Sequence, residues 1–396
     1  MKFDQVAHSS LGDVYTTKKN ILFFIAFFLF TLYEFYYPGY GRVFDYAGII
    51  ILLIGVFTTK KGVLKLGTIA PDKFSLFLMI VSLMFVLWFS CIAIVAGDIL
   101  SSLAVLIGVL IVLHYTLQEK VNMKRFANFL DAVIIFNAIV FIIQLLMFKL
   151  FGDVLNFTHY AGSISARIYN ESLNYFRPAG LYQEPNSYCT SVFMLIILRH
   201  NVLVKPRKLI SWVAALTLVI SQSLWGMGAF VLWVMLYTSN KEKLYMLGVI
   251  FILLLYTSFT GKLSYFIEHS VTLHRLSDID ADPSKEQRYG LLANYLSPNH
   301  FLGLGINTNA FQTIAANGIA FVIYSFGLVG FLCLGLTLSY LFVRLYAIRA
   351  LIAIAFLLTT YPLMTYMIFW IWLGLLIRFN LDKYRMKNCS LVQWEN

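Results

Sequence analysis

Apolar runs separated by short polar turns recur along this chain from residue 20 to residue 378. Many approach 20 residues, the length at which an α-helix crosses the hydrocarbon core of a bilayer. The runs predict helices over 20–37, 43–58, 74–96, 99–117, 126–150, 186–200, 209–221, 225–238, 245–260, 319–343, 350–361 and 363–378. The expected fold is therefore an all-α integral membrane protein of about 12 transmembrane helices, with 1–396 as a single polytopic domain. Pro362 also allows a count of 11, the last two runs then forming one broken helix. The seventh and eighth runs are short and are parted only by Ser221-Gln222-Ser223-Leu224.

Two long polar breaks interrupt the pattern, at 152–185 and at 261–316. Short turns suffice to join neighbouring helices, and long connections tend to carry function. The second break holds 56 residues and nine charges: Lys262, Glu268, Arg275, Asp278, Asp280, Asp282, Lys285, Glu286 and Arg288. Within it Leu263, Phe266, Ile267 and Val271 share one helical face, as do Tyr289, Leu292, Ala293 and Leu296. Both stretches predict short helices along a membrane surface. Ser297-Pro298-Asn299 ends the second, and Gly303-Leu304-Gly305 predicts a tight turn before the chain re-enters the membrane.

Composition agrees: 60% of residues are hydrophobic, 12% are charged, and mean hydropathy is +0.78. A soluble domain carries about a quarter charged residues. With the N-terminus inside, alternating helices place 22 Lys and Arg on the cytoplasmic side and 8 on the outer side. Both long breaks then face outward. The net charge of +11 is accounted for by this asymmetry and does not point to nucleic acid. The first run has no small-residue cleavage site after it and reads as a retained anchor. The four cysteines have no metal-site spacing, so neither a disulfide framework nor a zinc site is expected.

Arg167, Arg177, Arg275 and Arg288 lie in the two breaks. A guanidinium fork holds phosphate bidentately and stays charged. A phosphate ligand outside the cell is most plausibly a lipid phosphate or lipid-linked pyrophosphate. The plainer alternative pairs these arginines with Asp278, Asp280, Asp282 or Glu286. The acidic run lacks the glycine and distal glutamate of a calcium loop, so no metal site is assigned. The sharper segment is Arg177-Pro-Ala-Gly-Leu-Tyr-Gln-Glu-Pro-Asn-Ser-Tyr188. Gly180 permits close approach of backbone to a ligand, and Pro185 suits a first helical turn. Glu184 is then a helix cap, or a general base if it reaches the proton to be removed. His300 is an alternative base or a surface loop histidine. Glu34, Arg42 and Asp45 read as a structural ion pair across the Pro38-Gly39 turn, and Asp131 as a cap or a partner of Lys124 or Arg125.

The Arg-x-x-Gly-x-x-x-Glu-Pro-Asn pattern from Arg177 to Asn186 resembles the segment before a mid-chain helix in bacterial O-antigen polymerases (Wzy-type) and the related O-antigen ligases. Ser221-Gln-Ser223 resembles their Ser-Gln-Ser-Arg signature, with Leu224 in place of the arginine. Arg288 followed by Gly303-Leu-Gly305, and Asn317 to Gly330 with its Gly327-Leu-Val-Gly330, resemble later family segments in family order. Ala316 stands where the ligases have a histidine, which favours the polymerases. The matches span about 175 to 332; the first five helices match only in being hydrophobic.

The resemblance implies a metal-independent glycosyltransferase without a cofactor, in the bacterial inner membrane with its site facing the periplasm. Its substrates would be undecaprenyl-pyrophosphate-linked oligosaccharides. Its partners would be membrane lipid, a chain-length regulator (polysaccharide co-polymerase) and the flippase of the same pathway. Glu184, Arg288 and Arg177 would be catalytic; Arg275, Arg167, His300, Asn186 and Asn317 would bind substrate. The alternatives are an O-antigen ligase acting on lipid A core and, in a different class, a flippase for lipid-linked sugars. Transporters concentrate charge mid-helix around a central cavity, whereas here it gathers in the breaks.

Overall fold

The computed structural model describes residues 18–34, 43–57, 106–111, 122–157, 169–170, 175–259, 318–360 and 366–392, with single residues at 73, 74, 77, 80, 81, 84, 87, 301, 303 and 363. It is helical apart from one two-residue antiparallel ladder. The helices are α1 (Lys18–Thr31), α2 (Val43–Phe57), α3 (Met123–Phe151), α4 (Pro185–Asn201), α5 (Lys208–Ile220), α6 (Leu224–Tyr237), α7 (Asn240–Phe259), α8 (Gly318–Arg344), α9 (Ile348–Leu357) and α10 (Met367–Val392). Helices α9 and α10 are separate elements, and Pro362 between them lies outside the described residues. Two helices, α3 and α8, are long and apolar enough to cross a membrane; α2, α5, α6 and α9 and the stretch Ile21–Thr31 of α1 are shorter apolar helices.

The boundaries follow from local chemistry. Asn122 caps α3 by accepting the Arg125 N–H at 3.1 Å. Gly152, at φ 74°, ends that helix in the left-handed conformation and donates to the Phe148 carbonyl at 3.0 Å. Pro185 occupies the first turn of α4. Ser223 caps α6 by accepting the Gly226 N–H at 3.3 Å.

Helix α3 inverts the pattern of a soluble amphipathic helix. Its inward face bears Leu130, Asp131, Ile134, Asn137, Phe141 and Gln144, at three- and four-residue spacing. Its outward face bears Ile135, Phe136, Ile139, Ile142, Ile143 and Leu146, each at least 40% exposed. Polar groups thus turn to the protein and apolar groups away from it.

Helix α4 is the axis of the described bundle, packed by α3, α5, α6, α9 and α10. Sixteen of its seventeen residues are buried. Trp372 of α10 donates to its Met194 carbonyl at 2.7 Å. At one end, which we call the α4 start, lie the turn after α1, the C-terminal half of α3, the α5–α6 turn, the start of α8 and the end of α9. Trp225 donates to Thr359 there at 3.2 Å, and Gly318 N–H to the Thr360 carbonyl at 2.8 Å.

At the opposite end Arg199 of α4 donates to Asp131 of α3 at 2.7 Å through Nε, and to the carbonyls of Val204 and Lys205. Arg207 lies 3.7 Å from the same carboxylate. Asp131 therefore pairs with arginines 68 and 76 residues away and not with Lys124 or Arg125. Asn380 of α10 donates to Asn201 at 3.2 Å, and Lys208 pairs with Glu242 at 2.8 Å.

Helix α8 is not one regular helix. Gly327, at φ 70° and ψ 177°, breaks it. The half before the break is buried almost throughout, while Leu332, Leu336 and Val343 after it are exposed.

Candidate functional site

The first candidate segment is built from Gln144 outward. Its side-chain oxygen accepts the backbone N–H groups of Ala179 and Gly180 at 2.7 and 2.8 Å, and its amide donates to the Leu155 carbonyl at 2.6 Å. One fully buried amide thereby ties both ends of the first long break to α3. Between them Tyr169–Asn170 pairs antiparallel with Tyr175–Phe176, so a short ladder forms part of this break. Gly180 adopts φ +57°, and a Cβ there would sit 3.2 Å from the Tyr188 ring. Its conformational freedom serves a turn packed on Tyr188. Tyr182 then donates to the Thr31 carbonyl at 3.0 Å, docking the segment on α1.

Gln144→Leu is expected to strand two buried N–H groups, each costing about 1–3 kcal/mol when unsatisfied, and to free the half-buried Leu155 carbonyl. Thermal unfolding of the detergent-solubilised protein should register the loss, and Gln144→Glu should recover part of it. A Gln144→Leu protein as stable as the parent would show that these groups find other partners.

Glu184 is the N-cap residue of α4, with extended backbone at φ −149° and ψ 154°. Its side chain makes no capping hydrogen bond, so the carboxyl is not occupied by the role that position most often carries. Asn186 and Ser187 follow in the first turn, both buried, and Thr190 and Ser191 continue a polar strip one turn deeper. Ser191 donates to Tyr33 at 3.2 Å, and Tyr188 to Thr217 at 2.8 Å.

Glu34 reaches this turn from α1, 149 residues away. Its Oε2 accepts the Gln183 N–H at 2.8 Å, and its backbone carbonyl accepts the Gln183 side-chain amide at 3.1 Å. Arg42, the cation of the ion pair expected among Glu34, Arg42 and Asp45, lies outside the described residues. Glu34 sits in the turn beyond α1. The residue keeps some exposure, but its carboxyl is turned into the protein. Burial pushes that carboxyl up to about 8; the neighbouring Glu184 charge adds to the rise, while Ser187 and the Gln183 N–H oppose it.

Arg177 is half-buried and lies within electrostatic range of Cys189, in the second turn of α4. Cys189 in turn meets Ser221 at 2.9 Å. Ser221 donates to the Leu218 carbonyl at 2.8 Å, and Gln222 holds φ 55°, a left-handed conformation uncommon for a residue with a Cβ. A Cβ on Gly226 would meet the Leu218 carbonyl oxygen at 2.7 Å, so only glycine allows α6 to leave this turn so close to α5. The Arg177 segment and Ser221-Gln222-Ser223, distant in sequence, thus converge on the first two turns of α4.

A similar convergence involves two glycine motifs. Gly303, at φ +79°, lies against Ser325, Phe326 and Gly327, where a Cβ would come 2.6 Å from the Ser325 carbonyl oxygen. The Phe301 carbonyl accepts the Val329 N–H at 3.4 Å. The end of the second long break is therefore seated on the interruption of α8.

Of the residues predicted to act, Glu184, Arg177 and Asn186 are described and share the α4 start. Arg288, Arg275, Arg167, His300 and Asn317 lie outside the described residues, as do the two surface-helix stretches of the second break. Gln144 was passed over in sequence; an amide on the same face as Asn137 inside a 29-residue apolar helix is the signal that marks it. No protein-family profile matches the chain, and no curated protein matches it. Among the described residues, the class defined here is a helical protein with two helices long and apolar enough to cross a membrane and a polar, carboxylate-bearing start to its central helix.

Proposed function

We propose that this chain is a polytopic inner-membrane glycosyltransferase of the O-antigen polymerase kind, working at the periplasmic face on undecaprenyl-pyrophosphate-linked glycans. The observation that carries the reading is the start of α4. An uncapped carboxylate, Glu184, and a guanidinium, Arg177, meet the first two turns of a helix buried on all sides. The outward apolar face of α3 supports a lipid surround, since a soluble helix does not present such a face to water. The orientation is supported by the opposite end, which gathers Arg199, Lys205, Arg207, Lys208, Lys241 and Lys243, as cytoplasmic loops do. On this reading about 12 helices cross the membrane and both long breaks are periplasmic.

In the proposed reaction the non-reducing hydroxyl of one lipid-linked repeat attacks the anomeric carbon of the growing chain. Glu184 accepts the hydroxyl proton as the new glycosidic oxygen–carbon bond forms. The bond from anomeric carbon to pyrophosphate breaks, and its electron pair leaves on undecaprenyl pyrophosphate. Arg177, with Arg288 from the second break, offsets that charge in a low-dielectric setting, where such groups act most strongly. The donor bond already carries the required energy, so no nucleotide enters.

A host strain lacking this chain is expected to display single capped repeat units. A ligase would instead leave polymer on carrier lipid, and a flippase would leave repeats trapped inside. Complementation with Arg177→Ala should lower polymer yield about 10²-fold. Arg177→Lys should recover little, because an ammonium does not reproduce the planar fork. Full polymer length with Arg177→Lys would sink the bidentate role.

A further inference from the structure

The mechanism above uses one carboxylate, yet the α4 start contains two. We propose that Glu34 is the positioning residue for Glu184: it clamps Gln183 from both sides and so fixes how the chain carries Glu184 into α4. This rests on the glycosyltransferase reading of the same site.

The clamp is geometric. The turn after α1 offers two acceptors to one residue, the Glu34 carboxyl to the Gln183 N–H at 2.8 Å and the Glu34 carbonyl to the Gln183 amide at 3.1 Å. Gln183 is the residue immediately before Glu184, so fixing its backbone N–H and its side chain fixes the direction in which the chain enters α4. The flanking residues are fixed as well. Tyr182 is tied to Thr31, also on α1, and Pro185 is restricted in φ. Glu184 lies between two anchored neighbours while its own side chain makes no capping bond. A carboxylate that must meet a sugar hydroxyl gains from being placed before substrate arrives.

The second part concerns charge. Two carboxyls in electrostatic contact do not both ionise readily, and the more enclosed one keeps its proton. Glu34 is the enclosed member. Among the described residues, the titratable groups facing it are Glu184 and the buried Tyr182 hydroxyl, and no cation is among the influences on it. Burial raises it to about 8, so Glu34 keeps its proton at neutral pH far more readily than an ordinary carboxyl does. A neutral Glu34 still accepts the Gln183 N–H through its carbonyl oxygen. Once ionised, it sets a second negative charge beside Glu184.

The test separates the clamp, the charge and the function. Glu34→Gln keeps an acceptor for Gln183 but cannot ionise. Glu34→Ala removes the side-chain acceptor. The protonated-carboxyl stretch in infrared spectra of the full-length protein in lipid should be present at pH 7, fade as pH rises through about 8, and be absent in Glu34→Gln. This readout needs no activity. In polymerisation assays the parent should lose activity as pH rises through the same range, whereas Glu34→Gln should hold its rate there. Glu34→Ala should lose about 10²-fold in turnover at all pH values. An infrared band unchanged by Glu34→Gln, or an alkaline limb unchanged by it, would overturn the inference while leaving the glycosyltransferase reading intact. A band that behaves as expected in a protein that makes no polymer would overturn that reading and leave the proton on Glu34.

Discussion

Glu184→Gln is expected to leave the protein folded and at normal levels in the membrane, still binding lipid-linked repeat, while polymer synthesis falls about 10²–10⁴-fold. The two roles open to Glu184 make opposite forecasts. A capping carboxylate contributes about 1 kcal/mol of stability, and an amide partly replaces it. A general base contributes to rate, and an amide does not replace it. The structure narrows the choice, because Glu184 occupies the N-cap position with no capping hydrogen bond to lose. Stability should therefore be nearly blind to Glu184→Gln, and turnover should not. Thermal unfolding and chain-length analysis on one preparation measure both. Near-normal chains from Glu184→Gln would remove it as base, and His300→Ala in the same assay would be the next comparison.

The largest stability effect is expected at the other end of α4. Asp131→Ala leaves the Arg199 guanidinium, 2% exposed, without its carboxylate. Removing one partner of a buried pair costs about 3–5 kcal/mol, chiefly because the remaining charge stays desolvated. The partners are unequal. Arg207 lies 3.7 Å from Asp131 with its side chain 64% exposed, and an exposed ion pair contributes about 0–1 kcal/mol. Arg207→Ala should therefore barely move the unfolding temperature, while Asp131→Ala lowers it severely. Asp131→Ala combined with Arg199→Met should regain much of the loss, since no charge is then stranded. Equal effects of Asp131→Ala and Arg207→Ala would contradict the assignment of the pair to Arg199.

The contrast between Asp131 and the helix boundaries explains what could be read from the chain in advance. Caps and breakers act within a few residues, so Asn122, Gly152, Pro185 and Ser223 mark the ends of α3 and the starts of α4 and α6 to within about three residues of the expected positions. Polar pairings across the bundle obey no such range. Asp131 was assigned to the nearest basic residues along the chain, and Glu34 to the nearest cation. Asp131 instead joins an element 68 residues away, and Glu34, whose expected cation lies outside the described residues, reaches one 149 residues away. The break in α8 was missed for a related reason: Gly327 sits in an unbroken apolar run, and the kink is tied to Gly303 in another part of the sequence. At the candidate site the local segment from Arg177 to Asn186 was legible, because its glycine, proline and charges are unusual in an apolar chain. Of the two residues that hold that segment, Gln144 was passed over and Glu34 was read only as a member of a local ion pair.

The all-round burial of α4 bears on how the chain is made. A helix with a lipid-facing side can rest in the bilayer alone until its neighbours arrive. Helix α4 has no such side, and it carries Asn186, Ser187, Thr190, Ser191 and Arg199 along its length. An arginine or a run of polar groups in hydrocarbon opposes insertion of an isolated helix. On the membrane reading, α4 leaves the ribosome before α5, α6 and α10 exist to surround it, with only the earlier helices to receive it. Its Asp131 partner on α3 is already in place by then, so biogenesis of this protein depends on α3 sheltering the nascent α4 until the later helices close around it.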